Sequence, residues 1–258
     1  MIITSWNNEF IKRIRKLKDK KERFNQGLFL VEGRNSVSEL IKSNFKIKHI
    51  ILAETFNEIL DFPKTDIVYV SDNIFNKLSD TVTPQKVLAV VEIPSYDINQ
   101  IVKNNGIYLI ADNIQDPGNL GTIIRSSDAF NVKCVFTINN CVDIYNPKVV
   151  RATMGSIFHI PVFNVSDIDE LFRILKNNNI QVVATDLKAE NYLHEVDLKS
   201  SVVFIMGNEA KGISNIYGKY IDKYIKIPMS GKAESLNVSI ATSIFLYESQ
   251  RQRLINYN

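Results

Sequence analysis

The chain has 258 residues, of which 45% are apolar and 23% charged, a mixture that excludes a disordered, collagen-like or low-complexity body. Its net charge of +3, from 31 Lys and Arg against 28 Asp and Glu, is too small by itself to announce a nucleic-acid partner. The distribution says more: residues 1–25 hold eight basic and three acidic side chains (+5), and the remainder 23 basic and 25 acidic (−2), so the positive charge is a local docking patch.

Residues 8–24 read as one amphipathic basic helix, with Phe10, Ile14, Leu17 and Phe24 at helical spacing. A strand follows at Leu28–Val31, then a helix with Val37, Leu40 and Ile41 on one side. Next come a strand at 47–52, a helical segment, a strand at 67–70, a helix opened by Ser71 or Asp72, and a strand at 87–93. This alternation predicts an α/β layer. The polar stretch 94–106 (PSYDINQIVKNNG) reads as a boundary, giving a domain over 1–95, a linker over 96–106 and a second α/β domain over 107–258. In the second domain, strands are predicted at 107–111, 133–138, 180–184, 201–206 and 225–227. Helices are predicted at 119–130, 167–178 and 237–252.

Cys134 and Cys141 form neither a disulfide framework nor a CxxC pair, and read as small buried residues. His49, His159 and His194 lie far apart, so no metal site is expected. No apolar run approaches the ~18 residues of a spanning helix, and the first ten residues lack the order of a signal peptide. A cytoplasmic protein without membrane association is the expectation.

Three segments carry chemistry. Asp112–Arg125 (DNIQDPGNLGTIIR) follows an apolar strand with a tight Asp-Pro-Gly turn. Asn119 reads as the cap of a helix whose first N–H groups face an anion, with Arg125 reaching over the same mouth. The segment lacks the third glycine of a dinucleotide fingerprint. Val203–Ser214 (VFIMGNEAKGIS) places Glu209 at a strand's C-terminal end, where α/β proteins put ligand groups. Ile227–Glu248 runs from a strand end through Pro228 and Gly231 to a helix opened by Ser235 or Asn237. Each segment alone also fits an ordinary α/β connection. Three Gly-containing mouths after strands of one domain favour a small-molecule site.

Together the segments resemble the SpoU/TrmH branch of the SPOUT superfamily, the RNA ribose 2′-O-methyltransferases. The first family motif is similar to Asn113, Asp116-Pro117-Gly118-Asn119, Gly121 and Arg125. The second is similar to Gly207-Asn208-Glu209 with Gly212, and the third to Ile227-Pro228-Met229 and Glu234-Ser235-Leu236-Asn237-Val238-Ser239. The first half resembles the family's substrate-binding domain through Phe29-Leu30-Val31-Glu32-Gly33 and Thr83-Pro84-Gln85. Arg151-Ala152-Thr153-Met154-Gly155-Ser156 is typical of relatives that modify ribosomal RNA. Ala210 departs from the Gly of many members but stays small.

The resemblance implies a small N-terminal α/β substrate-binding domain followed by an α/β trefoil-knot methyltransferase domain that homodimerises. It implies S-adenosyl-L-methionine as cofactor, contacted by Gly207, Ile227 and Leu236, with Met229, Thr185 and Val238 as further contacts. Arg125, Asn119, Glu209 and Asn237 would form the catalytic centre, with no metal. The implied reaction is methylation of a ribose 2′-hydroxyl in 23S ribosomal RNA. Transfer RNA as substrate, and an inactive RNA-binding protein on the same scaffold, are the alternatives. Lys12, Arg13, Arg15, Lys16, Lys20, Lys21 and Arg23 are then candidate phosphate contacts.

Overall fold

Asn8 opens the first helix by accepting hydrogen bonds from the N–H groups of Phe10 and Ile11. The computed structural model describes residues 2–208 and 212–254, which places Glu209 and Ala210 outside the described residues. The chain divides into two compact units: Met1–Ser95 with Asp143–His159, and Tyr96–Val142 with Ile160–Asn258.

In the first unit, β1 (Ile2–Ile3) precedes α1 (Glu9–Lys16) and α2 (Lys20–Gln26). Residues 8–24 therefore form two helices, not one. Asp19 caps α2 by accepting from the Glu22 N–H, and Gly27, at φ 63°, ends it. Arg23 fixes the break, because its guanidinium donates to the carbonyls of Leu17 and Lys18 and to the Asp143 carboxylate. The reorientation corrects two expectations. Arg23 is only 2% exposed and is committed inside the fold, so it does not face phosphate. Phe24, placed on the apolar face by its spacing, is 50% exposed.

The unit continues with β2 (Leu28–Glu32), α3 (Arg34–Lys42), β3 (Ile47–Ala53), β4 (Asp66–Val70), α4 (Asp72–Leu78) and β5 (Val87–Glu92). The sheet order is β1-β4-β3-β5-β2, with β5 antiparallel to both its neighbours. Residues 54–65, expected to include a helix, contain none. Their backbone is spent on ladder and turn bonds, Glu54 N–H to Val70 O and Phe56 N–H to Ala53 O. Ile11, Ile14 and Leu17 pack with Leu30, Ile51, Phe75 and Val90 into one core. The Glu32 carboxylate accepts from the Ser79 and Thr81 hydroxyls and the Asp80 N–H, and Gln85 Oε1 accepts from the Arg34 N–H at 2.7 Å. These bonds pin the loop before β5 to the end of β2.

The second unit holds α5 (Ile98–Ile101), β6 (Ile107–Asp112), α6 (Pro117–Ala129) and β7 (Cys134–Ile138). The chain then leaves it: Asp143–His159, with α7 (Pro147–Ala152), packs in the first unit. There Tyr145 lies on Phe29 with ring centroids 4.6 Å apart, and Phe158 on Phe45 at 5.2 Å. On return come β8 (Val162–Asn164), α8 (Ile168–Asn177), β9 (Gln181–Thr185), β10 (Asn191–Tyr192), β11 (Val202–Met206), β12 (Lys223–Lys226) and α9 (Val238–Leu254).

Among the described residues, the seven strands of this unit are all parallel, in the order β10-β12-β9-β11-β6-β7-β8. Helices on both faces explain why β6, β7 and β11 are buried at every position and read as continuous apolar runs. Phe172 and Leu175 of α8 join the core on one face, while Phe245 of α9 meets Phe204 of β11 at 5.6 Å. Both cysteines are buried and unpaired, and burial pushes both thiols up, so they act as core residues. Among the described residues no helix is long and apolar enough to cross a membrane.

Candidate active site

The C-terminal ends of β9, β11 and β12, with the start of α9, enclose a cavity of about 610 Å³. Parallel sheets bind ligands at this edge, where helix starts and loop N–H groups converge. Thr185 ends β9 and Gly207 follows β11; Ile227 and Met229 follow β12. Leu236 and Val238 flank the start of α9. All six side chains or backbones named above as cofactor contacts line this one cavity. Met206, Ile225, Ala241 and Phe245 add an apolar floor that sequence reading did not single out. Asp186 and Lys188, also in the wall, carried one available signal: they directly follow a predicted strand.

Gly207 is where the loops approach most closely. A Cβ there would lie 2.4 Å from the Gly212 carbonyl carbon and oxygen and 2.5 Å from the Ile213 nitrogen, all backbone atoms. Gly212 itself has φ 66°, a left-handed conformation that favours glycine. Ser214, on the far side of Gly212, is anchored behind by the buried Asp112 at the end of β6. Asp112 accepts from the Ser214 N–H at 2.8 Å and from the Tyr217 hydroxyl at 3.2 Å. Burial, reinforced by the Asp112 charge, pushes the Tyr217 phenol well up, so it stays a donor. Asn208 Nδ2 donates to the Asn113 carbonyl at 3.3 Å.

Beside the cavity, α6 and α9 run side by side in register. Asn119 bonds Asn237, Ser126 Oγ lies 2.8 Å from Ser243 Oγ, and the Phe130 ring meets Tyr247 at 6.2 Å. Asp116, not Asn119, caps α6: with Pro117 in the first turn, its carboxylate accepts from the Asn119 N–H at 2.8 Å. That leaves the Asn119 side chain to reach α9. Asn237 Oδ1 accepts from the Ser239 N–H at 3.0 Å and caps α9. Backbone N–H groups can only donate, so the Asn237 oxygen is fixed there and its Nδ2 donates to Asn119 Oδ1 at 2.9 Å. Asn119 is thereby held with its side-chain oxygen toward Asn237. Arg125 is exposed on α6 and is not part of the cavity wall. Glu209, the fourth residue named for catalysis, lies outside the described residues.

The basic residues of the first unit divide by environment. Lys16, Lys20 and Lys21 are exposed. Arg13 is exposed with its Nε donating to Gln26, Lys12 pairs with Glu9 at 2.7 Å, and the Arg15 guanidinium sits 5.3 Å from the Trp6 ring centre.

Residues 106–247 match the SpoU rRNA Methylase family, and residues 8–89 match the MRM3-like substrate binding domain. The chain belongs to the SpoU rRNA methylase family. Among curated relatives, it is 34% identical to the 23S rRNA (guanosine(2553)-2′-O)-methyltransferase RlmP of Bacillus subtilis, covering 95% of this chain and 97% of that one. It is 30% identical to the 23S rRNA (uridine(2479)-2′-O)-methyltransferase of Streptomyces viridochromogenes, over 98% of this chain and 92% of that one. Among solved structures, the SpoU methyltransferase AviRb from Streptomyces viridochromogenes in complex with AdoMet superposes with a TM-score of 0.89 at 27% identity. That match covers 96% of this chain and 99% of the other. The α/β architecture of this chain is that of the SpoU methyltransferases, an N-terminal domain followed by a SPOUT methyltransferase domain.

Proposed function

We propose that the cavity at the ends of β9, β11 and β12 holds S-adenosylmethionine and that Asn119, Arg125, Glu209 and Asn237 act on the RNA beside it. The chain is an S-adenosylmethionine-dependent RNA ribose 2′-O-methyltransferase, and its substrate is 23S ribosomal RNA. The observation that carries the site assignment is the convergence of Thr185, Gly207, Ile227, Met229, Leu236 and Val238 on one cavity, with the Asn119–Asn237 pair at its edge.

The residues present fit this cofactor. A volume of about 610 Å³ lies in the range of small-molecule sites, and the apolar floor is joined in the lining by polar residues such as Asp186, Asn208 and Ser235. The missing side chain at Gly207 lets its backbone meet that of Gly212, and both residues line the wall. When bound, the cofactor supplies an electrophilic methyl group on a sulfonium.

The protein's own groups then have three tasks. The walls exclude water and fix direction, because much of the rate comes from placing the attacking oxygen in line. Asn119, oriented through Asn237, helps position the substrate ribose. Arg125 binds the target phosphate and stabilises the negative charge that grows on the ribose oxygen. Its guanidinium offers N–H donors and no acceptor, so it serves as a donor, and Glu209 is the group to orient a partner or accept the proton. In the first unit Lys16, Lys20 and Lys21, with Arg13, supply phosphate contacts.

Two copies form the working enzyme in this reading. Ile240 and Tyr247 of α9 are 51% and 56% exposed, and Ile244 lies between them on the same stripe. An exposed i, i+4, i+7 apolar stripe on the helix that caps the site suits a second copy. The direct test is transfer of labelled methyl from S-adenosylmethionine to protein-free 23S ribosomal RNA. Label on a ribose 2′-oxygen is expected; label on a base, or none, would overturn the proposal.

A further inference from the structure

The α2 helix turns its charged and aromatic residues opposite to the usual rule. Arg23 is buried against Asp143, while Phe24 faces solvent, the one exposed phenylalanine among the described residues. On the wheel of α2, Lys20, Lys21, Phe24 and Asn25 share one continuous exposed face, and Glu22 and Gln26 lie on the side toward α1. Leaving a phenyl ring half in water forfeits burial that the same helix could have gained by facing Phe24 inward. Several bonds hold the inverted orientation: the Asp19 cap, the left-handed Gly27 end, and the Arg23 guanidinium on Asp143, Leu17 and Lys18. Phe24 is thus a fixed ring on a rigid helix, flanked by two exposed lysines one turn before it.

We propose that Phe24 is a stacking platform for an unpaired base of the RNA substrate, with Lys20 and Lys21 on the adjacent phosphates. Single-stranded RNA is recognised by aromatic faces that stack on splayed bases, set in a cationic surround that follows the backbone. The charge supports this occupant over an apolar protein surface: the segment 1–25 carries eight basic and three acidic residues. The role is one of substrate positioning and rests on the reading of the protein as an RNA methyltransferase.

The test uses the full-length protein and in-vitro-transcribed 23S ribosomal RNA, with binding measured across a salt series. Phe24→Ala is expected to weaken binding about tenfold while leaving the salt slope unchanged, because no charge is lost. Phe24→Trp should bind as well as the parent and have its added fluorescence quenched by the RNA. Phe24→Leu, apolar but without a π face, should behave like Phe24→Ala. Lys20→Ala with Lys21→Ala should reduce the salt slope by about two. Unchanged binding by Phe24→Ala, full binding by Phe24→Leu, or a change in oligomeric state with Phe24→Ala would each overturn the platform. Failure of the parent protein to bind or methylate the RNA would instead strike the functional reading itself.

Discussion

Arg125 and Lys carry the same charge, but only the guanidinium offers a planar fork to a phosphate and a neighbouring oxygen. Arg125→Lys is therefore expected to lose about a hundredfold or more in kcat with S-adenosylmethionine affinity intact; near-normal turnover would remove Arg125 from the centre. Asn119 and Asn237 are separable by what else they do. Asn237 also caps α9, so Asn237→Ala should cost about 1 kcal/mol of stability in addition to activity. Asn119→Ala should lose rate alone, since the N–H of residue 119 is still held by Asp116. Thermal unfolding and calorimetric titration with the cofactor read the two effects apart. At Gly207 a methyl group would meet backbone on Gly212 and Ile213, with no flexible side chain to yield. Gly207→Ala is expected to abolish cofactor binding and lower the melting temperature, checked by the same two methods.

At the scale of elements, buried charge decides what periodicity alone misjudges. The spacing of Phe10, Ile14, Leu17 and Phe24 fits one helix, yet Arg23 splits it by taking the Leu17 and Lys18 carbonyls. Its partner Asp143 is 120 residues away, so no local pattern announces the pair. Removing one partner strands a buried charge: Arg23→Ala should destabilise by about 3–5 kcal/mol, whereas Arg23→Met with Asp143→Leu should cost less. Urea unfolding of the single and double variants measures both. The cap of α6 shows a gentler misreading. Asp116 and Asn119 are both good capping residues, and Pro117 in the first turn decides for the former. Where burial on both faces makes a strand uniformly apolar, as in β6, β7 and β11, the element is legible without its neighbours. The helix expected between β3 and β4 failed because 54–65 has no buried stripe to satisfy.

Across the whole molecule, the alternation of strands and helices makes the α/β class readable, and two of the three Gly-containing mouths, those after β11 and β12, line the cavity, while the first lies outside its wall. What the chain does not disclose is the excursion of Asp143–His159 into the first unit. Its apolar residues, Val149, Val150, Ile157 and Phe158, would suit either core, and only the three-dimensional partners Phe29, Phe45 and Glu39 choose. The exposed stripe on α9 leads to a whole-molecule expectation: Ile240→Glu with Tyr247→Glu should yield a folded monomer by light scattering that has lost methyl transfer. A dimer that persists would place the interface elsewhere. Incubating the protein with S-adenosylmethionine and protein-free 23S ribosomal RNA, then mapping 2′-O-methyl groups nucleotide by nucleotide, decides between activity and its absence. A single new ribose methylation, absent with Arg125→Lys, is the expected result. No new ribose methylation would rule out the methyltransferase, and one that Arg125→Lys makes equally well would remove Arg125 from its centre.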